Sequence, residues 1–372
     1  MSGARAVARI DLGAIRHNAR VLSEAAGPAR LMAVVKADGY GHGAAPVARA
    51  ALEGGATALA VAAADEARDL RAAGIDAPVL VMGPLAGGEW EVAAAAGAEI
   101  VAWTPDAVGR AAAAFAAWGR RPRVHLKLDT GMGRLGARPE DVGALADAAA
   151  SADVDVVAVM THFATADETD GGNAAFMAEQ LVRFRAAAAA LRPRFRGVAL
   201  HAANSAALLR DPATRLDMVR CGIALYGGSP YGGDPADHGL RPAMSLVSYL
   251  ASIRTLQSRE SVGYGRVWRA ARGTRVGLVP VGYADGYARP LAGRADVLVG
   301  GRRVPAIGNI SMDQLSVDLG PGAQERVGDE VVLLGRQGGE LVSAEELGAA
   351  RGSINYEVMC AIGPRIPRVH EG

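Results

Sequence analysis

Short apolar runs alternate with helical patterns over the first two-thirds of the chain, and this alternation constrains the fold more than any other feature. The predicted strands are Leu31–Val35, Ala58–Ala62, Val79–Met82, Glu99–Ala102, Val124–Leu128, Asp155–Met160, Val198–His201 and Asp217–Arg220. These runs lack strict polar–apolar alternation, as expected for strands buried on both faces. Eight strand-then-helix units predict a (β/α)8 barrel. An open doubly wound sheet is the alternative that the pattern leaves open.

The pattern changes near Gly239, where Pro and Gly begin to separate short apolar runs such as Val276–Val281 and Val331–Leu334. The pair Gly300-Gly301 between two apolar runs predicts a hairpin turn. A chain of 372 residues also favours two domains over one. We therefore predict an α/β chain with an N-terminal barrel over residues 1–238, followed by a mostly β domain over residues 239–372. Segment 1–10 is expected to pack on this second domain.

Composition limits the functional classes. The formal net charge is +1 with both signs interspersed, which argues against a nucleic-acid surface or a basic membrane patch. No apolar stretch approaches the roughly 20 residues of a membrane helix. Two distant cysteines, Cys221 and Cys360, do not indicate a disulfide framework. We expect a cytoplasmic protein that acts on a small molecule.

Polar residues follow five of the predicted strands. In a (β/α)8 barrel the carboxyl ends of all strands meet at one mouth, where the chemistry of such enzymes takes place. The residues expected at this mouth are Lys36 after the first strand, Lys127 and Arg134 from the fifth, His162 after the sixth, His201, Asn204 and Ser205 from the seventh, and Arg220, Gly222 and Ile223 from the eighth. Their convergence predicts a single site.

Each of these residues also has a purely structural interpretation. Lys36 is compatible with a solvated lysine, or with a Schiff-base lysine whose amine is desolvated at an apolar strand end. His162 and His201 are compatible with buried, hydrogen-bonded histidines or with zinc ligands, but no third residue has metal-like spacing, so no metal is predicted. Ser205 is compatible with a helix cap, with phosphate binding beside the backbone after the eighth strand, or with both.

Several segments resemble one known family. The segment Val34–Gly43, VVKADGYGHG, resembles the pyridoxal-phosphate attachment signature of the alanine racemases. The similarity continues, in order, through Lys127–Gly136, Thr161–Ala164, His201–Ser205, Arg220–Gly227, Gly263–Gly265, Gly282–Tyr287, Ser311–Gln314 and Asn355–Glu357. It therefore spans nearly the full chain and is highly specific.

The resemblance implies a barrel followed by a β domain, which agrees with the pattern of strands and helices. It also implies a pyridoxal 5'-phosphate enzyme that interconverts L- and D-alanine as a homodimer, with the β domain of one subunit completing the site of the other. Two acid/base residues are implied, Lys36 for the D-isomer and Tyr264 from the partner subunit for the L-isomer. His162 is implied as the hydrogen-bond partner of Tyr264, with Arg220 behind it and facing the pyridine nitrogen.

The remaining roles implied by the resemblance concern phosphate, substrate and support. The phosphate contacts are Tyr40, Ser205, Tyr356 and the backbone of Gly222 and Ile223; Asn204 is a further cofactor contact. Arg134 and Met312 are implied as contacts of the substrate carboxylate, Lys127 as a carbamylated lysine, and Asp313 and Tyr283 as supporting residues. An ordinary ion pair is the alternative for Lys127.

Two departures from the family and several competing functions remain. Ser311 stands where several members have cysteine and Asn309 where some have arginine, so the entrance and the side-chain preference are in doubt.

A serine or broad-specificity racemase shares the mechanism and stays an alternative. Less favoured are a non-catalytic pyridoxal-phosphate-binding protein, which would lack the second domain, and a decarboxylase, aldolase or dehydratase on the same scaffold. Supply of D-alanine to the cell wall and degradation of D-alanine both stay open.

Overall fold

The computed structural model describes residues 4–372. The described chain begins with one strand, which is followed by one helix. Strand β1 spans Val7–Asp11 and helix α1 spans Leu12–Ala26. Asp11 caps the helix, because its Oδ1 accepts a hydrogen bond from the Ala14 amide at 2.9 Å. The buried face of α1 includes Ile15 and Leu22, which are seven positions apart and therefore lie on one side of the helix.

Eight parallel strands form a closed barrel. They are β2 (Arg30–Val34), β3 (Ala58–Val61), β4 (Val79–Val81), β5 (Glu99–Ala102), β6 (Arg123–Lys127), β7 (Asp155–Met160), β8 (Ala199–His201) and β9 (Met218–Cys221). Each predicted strand is confirmed to within one residue at either end. The first and last strands, β2 and β9, pair in parallel, so the sheet closes and the open-sheet alternative is wrong.

Helices surround the barrel and separate its strands. They are α2 (Lys36–Tyr40, which is a left-handed turn), α3 (Ala44–Glu53), α4 (Ala64–Ala72), α5 (Glu89–Ala95), α6 (Pro105–Ala116), α7 (Val142–Ser151), α8 (Gly171–Leu191) and α9 (Ser205–Arg210). Helix α6 shows how the sequence sets these boundaries. Thr104 caps it, Pro105 occupies its first position, and Val108, Ala111 and Phe115 bury one face against the barrel.

The second domain is a mostly antiparallel sheet with two short helices. Its strands are β10 (Met244–Tyr249), β11 (Ser252–Leu256), β12 (Ser261–Val262), β13 (Trp268–Arg269), β14 (Thr274–Val279), β15 (Asp296–Val299), β16 (Arg302–Ile307), β17 (Leu315–Gly320), β18 (Glu330–Gln337), β19 (Glu340–Val342) and β20 (Arg368–Glu371). The helices are α10 (Ala344–Ala350) and α11 (Asn355–Ala361). Strands β15 and β16 form the hairpin predicted at Gly300-Gly301.

The N-terminal strand belongs to the sheet of the second domain. β1 pairs antiparallel with β10 and parallel with β20, so the sheet runs in the order β11-β14-β17-β16-β15-β18-β10-β1-β20. Of the predicted segment 1–10, residues 1–3 lie outside the described residues. Within residues 4–372 no helix combines the length and the apolar character that crossing a membrane requires.

Candidate active site

The carboxyl ends of the barrel strands surround a cavity of about 610 Å³. Every barrel residue predicted for the site except His201 lines it. These residues are Lys36, Tyr40, Lys127, Arg134, His162, Asn204, Ser205, Arg220, Gly222 and Ile223, and they are joined by Tyr356 from α11. The barrel and α11 thus bring together residues that are up to 320 positions apart in the sequence, from Lys36 to Tyr356.

Lys36 enters the cavity from the start of a left-handed turn. Ala37, Asp38, Gly39 and Tyr40 have φ values of 52°, 51°, 61° and 52°, a conformation that costs an L-residue about 1–2 kcal/mol. The turn is held from outside: Glu66 Oε1 accepts from the Ala37 amide at 2.6 Å, and Asp38 Oδ1 accepts from the amide at the start of α3. The turn directs both Lys36 and Tyr40 towards the cavity.

Gly222 forms a cradle between β9 and the left-handed turn. A Cβ atom at this position would overlap the Tyr40 hydroxyl, so only glycine allows this approach. Ser205 Oγ accepts hydrogen bonds from the Gly222 amide at 3.1 Å and the Ala224 amide at 3.4 Å. Asn204, rather than Ser205, is the cap of α9, since its Oδ1 accepts from the Ala207 amide.

This cradle fits a phosphate group. Within residues 4–372 neither the Tyr40 hydroxyl nor the Tyr356 hydroxyl has a hydrogen-bond partner, and the two rings lie 6.2 Å apart. Burial raises the pKa of both phenols, so both stay protonated and able to donate. The two tyrosine hydroxyls, the Ser205 hydroxyl and the Ile223 amide form a donor set that suits a phosphate.

Arg220 is buried at the base of the cavity and is held by four acceptors. Its Nη1 donates to His201 Nδ1 at 2.9 Å, and its Nη2 donates to the carbonyls of Thr161 and Ala202 at 2.8 and 2.9 Å. Nη2 also lies 3.2 Å from His162 Nδ1. Burial lowers the pKa of Arg220 to about 10, which leaves the guanidinium charged at neutral pH.

His162 is a neutral imidazole with a defined tautomer. Burial, together with the nearby Arg220, lowers its pKa to about 3. A guanidinium only donates, so Nδ1 of His162 accepts and its proton lies on Nε2. Nε2–H is thus available to donate to a group that enters the cavity.

Lys127 is buried beside two cations. Burial, Arg220 and Arg134 together lower the pKa of its amine to about 8. Within residues 4–372 no carboxylate lies within 4.0 Å of its Nζ, so the described structure does not contain the ion pair considered as an alternative. Arg134 follows a turn in which Asp129 Oδ1 accepts from the amides of Gly131 and Met132, both at 2.9 Å.

Apart from Tyr356, the residues predicted from the second domain lie elsewhere in the same chain. Tyr264, Tyr283, Asn309, Ser311 and Met312 line a separate cavity of about 750 Å³. Tyr264 is 75% exposed and Met312 is 53% exposed, which is unusual for side chains of this size. The structure therefore does not bring Tyr264 or Met312 to Lys36 within one chain.

The residues around this second cavity are fixed by local contacts. Asn309 Nδ2 donates to the Tyr264 carbonyl at 2.9 Å, and the Ser311 hydroxyl donates to the Gln314 carbonyl at 2.8 Å. Asp313 forms an ion pair with Arg365 at 2.6 Å and is not among the residues that line the Lys36 cavity. The supporting role of Asp313 stays a prediction, and this ion pair lies next to Met312.

Sequence reasoning missed two residues that connect to the site. His125 Nδ1 is 2.9 Å from His201 Nε2, and His125 Nε2 is 2.8 Å from Glu99 Oε2. His201 therefore has both ring nitrogens engaged, which excludes it as a ligand of the zinc site considered from the sequence. A signal was present: His125 and Lys127 alternate along one strand, so they face the same side of it. Glu99 is an acidic residue that opens an otherwise apolar strand.

Comparison with known proteins agrees with this architecture. The family model described as alanine racemase, N-terminal domain, matches residues 10–230, and that described as alanine racemase, C-terminal domain, matches residues 243–370. An alanine racemase of Symbiobacterium thermophilum is 44% identical over 374 residues, covering 98% of this chain and 97% of that protein.

Solved structures of alanine racemases also match this chain over nearly its full length. Alanine racemase from D-cycloserine-producing Streptomyces lavendulae superposes with a TM-score of 0.94 at 41% identity, covering 100% of this chain and 98% of that one. Alanine racemase from Bartonella henselae with covalently bound pyridoxal phosphate superposes with a TM-score of 0.87 at 25% identity, covering 99% of this chain and 100% of that one. Two family models in the expected order, with relatives matched over their full length, establish that the chain belongs to the alanine racemase family.

Proposed function

We propose that this chain interconverts L-alanine and D-alanine with pyridoxal 5'-phosphate, in a homodimer whose two sites are each built from both subunits. The observation that carries the proposal is the convergence of Lys36, His162 and Arg220 on one cavity, in a chain that matches alanine racemases over its full length. The assignment of individual residues is part of the proposal.

The cavity offers a binding partner for each part of the cofactor. Lys36 Nζ would hold its carbonyl carbon, and the cradle around Gly222, with the hydroxyls of Tyr40, Ser205 and Tyr356, would hold its phosphate. When bound, pyridoxal phosphate delocalises the electron pair left at the substrate Cα after its proton departs. Arg220 would face the pyridine nitrogen and leave it unprotonated, because a guanidinium does not readily give up a proton.

Racemisation requires one proton carrier on each face of Cα. We assign Lys36 Nζ to one face and the phenolic oxygen of Tyr264 of the partner subunit to the other. A phenol near its ordinary pKa of about 10 is a poor base. His162 would assist it, since its Nε2–H is free to donate to that oxygen and thereby favours the deprotonated form.

Arg134 and Met312 of the partner subunit would orient the substrate carboxylate. Arg134 lies at the cavity wall and is exposed, so its guanidinium is available to an incoming anion. We assign residues 1–238 to cofactor binding, with Tyr356 of the second domain adding a phosphate contact in the same chain, and the remainder of residues 239–372 to completion of the partner's site. The exposed surface around Tyr264 supports this division, because an apolar, aromatic surface of this kind is typical of an interface.

The deciding experiment is a chiral assay of the purified chain with pyridoxal phosphate and L-alanine, with L-serine in parallel. We expect D-alanine to rise until the two isomers are equal, to form faster than D-serine, and to be absent with the Lys36→Ala variant. The Ser311→Ala variant is the matched control: it is purified in the same way but is altered only at the entrance.

Two results would overturn the proposal in different ways. Binding of the cofactor without any D-alanine would indicate a binding protein or a different reaction. Faster turnover of serine would indicate a broader racemase and would place the specificity at the entrance, beside Ser311 and Asn309.

A further inference from the structure

A chain of hydrogen bonds crosses the barrel interior from the cavity to the opposite end. It begins at Arg220 Nη1, passes through His201 and His125, and ends at the carboxylate of Glu99. Both histidines are at most 1% exposed. Beyond Glu99, Arg123 donates from Nε at 2.7 Å and is largely exposed, so the chain ends near solvent at the amino ends of the strands. We call these residues, Glu99, His125, His201 and Arg220, the barrel relay.

The two ends of the barrel relay fix its direction. A guanidinium has only donors and a carboxylate has only acceptors. His201 Nδ1 must therefore accept from Arg220, which places the proton of His201 on Nε2. That proton is donated to His125 Nδ1, so His125 carries its own proton on Nε2 and donates it to Glu99. Burial keeps the pKa of both imidazoles low, which leaves them neutral.

The barrel relay also links the buried guanidinium of Arg220 to a carboxylate. Within residues 4–372 no carboxylate forms an ion pair with Arg220, although its charge is fully buried. A buried charge without a partner is costly. The carboxylate at the far end of the relay is Glu99, and His125 and Arg123 hold its pKa below the usual range despite its burial, so it is ionised.

We propose that Glu99 and His125 are positioning residues for Arg220: the carboxylate fixes the tautomers of both histidines, and the relay thereby holds the guanidinium towards the cofactor. Without an acceptor at position 99, His125 is free to carry its proton on Nδ1 instead. His201 would then present Nδ1–H to the Arg220 donors, and the two groups would repel each other. The expected kinetic effect rests on the proposed function, whereas the expected tautomers do not.

The kinetic test compares Glu99→Met, which removes the acceptor, with Glu99→Gln, which keeps an acceptor oxygen and loses the charge. We expect Glu99→Met to lower kcat about tenfold, by analogy with the loss of partners that orient metal ligands, with a much smaller change in KM. The fraction of turnovers that end in abortive transamination should rise. Glu99→Gln should restore most of kcat. Thr274→Val, which removes a partly buried hydrogen bond to Asp318 in the second domain, is the control for lost stability.

The structural test uses long-range ¹H–¹⁵N correlation spectra of the full chain labelled at histidine, recorded with and without pyridoxal phosphate. The signals are assigned with His125→Asn and His201→Asn. We expect both imidazoles to carry their proton on Nε2 in the parent and in Glu99→Gln, and to show mixed tautomers in Glu99→Met. Unchanged tautomers, or a kinetic loss no larger than that of Thr274→Val at equal stability, would overturn the inference. Loss of racemisation in the parent itself would instead overturn the proposed function.

Discussion

At the scale of single residues, the chain places its lysines unusually. Only two of its 40 Lys and Arg residues are lysines, Lys36 and Lys127, and both line the same cavity. An arginine keeps its charge in any site, whereas a lysine amine gives up its proton when it is buried or lies near other cations. The Schiff base proposed at Lys36 and the carbamate proposed at Lys127 would both require a reactive amine.

Carbamylation of Lys127 is a testable consequence. The neutral amine reacts with carbon dioxide, and a pKa of about 8 leaves about a tenth of the Lys127 amines neutral at pH 7, against less than about one in a thousand at the ordinary pKa. The carbamate is an anion, so it would replace repulsion of Arg134 and Arg220 by attraction. We expect a bound ¹³C signal in protein equilibrated with ¹³CO2, which weakens as the pH falls below about 8.

Two variants identify the source of that signal. Lys127→Met should abolish it and weaken substrate binding through Arg134, whereas Lys36→Ala should keep it. A parent protein without bound ¹³C, together with a Lys127→Met variant of parental activity, would refute the carbamate.

At the scale of elements, the left-handed turn after β2 is maintained by the second domain as well as by the barrel. Arg368 on β20 donates from Nε to the Gly41 carbonyl at 2.9 Å and from Nη1 to the carbonyls of Gly363 and Ile366 at 2.6 and 2.8 Å. His370 Nε2 lies 2.8 Å from the His42 carbonyl. The last strand of the chain therefore stabilises the loop that follows Lys36.

Arg368→Met should weaken cofactor binding without altering any residue of the cavity. Loss of a hydrogen bond from a charged donor costs about 1.5 kcal/mol, so the dissociation constant of pyridoxal phosphate should rise about tenfold. An absorbance titration of the cofactor-free chain measures it, and activity at saturating cofactor should change little. Arg9→Met, which removes an exposed ion pair with Glu330 in the same sheet, is the control and should leave the constant unchanged.

At the scale of the whole molecule, the two halves of the proposed site lie on different surfaces of one chain. Lys36 lies in the mouth of the barrel, and Tyr264 projects from the second domain into solvent. Two copies related by a twofold axis would place each tyrosine at the other's barrel, which is the usual symmetry of a homodimer.

Mixing two inactive variants tests this arrangement. Lys36→Ala and Tyr264→Phe each disable every site of their own homodimer. A mixed dimer has one site with both residues intact, so random exchange should restore about a quarter of the parental activity, since about half of the dimers are mixed. Activity that stays at zero after verified subunit exchange would place both residues in one chain.

The sequence by itself determined the architecture and most of the cavity. Strands buried on both faces leave continuous apolar runs, and helices leave caps such as Asp11 and Thr104, so the eight strands were predictable to within one residue at either end. Because parallel strands of a barrel share one mouth, the residues after their ends were predictable as neighbours. The attachment segment around Lys36 added the chemistry through its resemblance to a family.

Only the tertiary structure decided which atoms pair with which. The cap of α9 is Asn204 and not Ser205, because the Ser205 hydroxyl is drawn to the amides of Gly222 and Ala224. The relay from Arg220 to Glu99 depends on four strands that bring distant side chains within 3 Å of each other. Sequence patterns report the side of a strand that a residue faces, whereas barrel closure and strand register fix its partner across the interior.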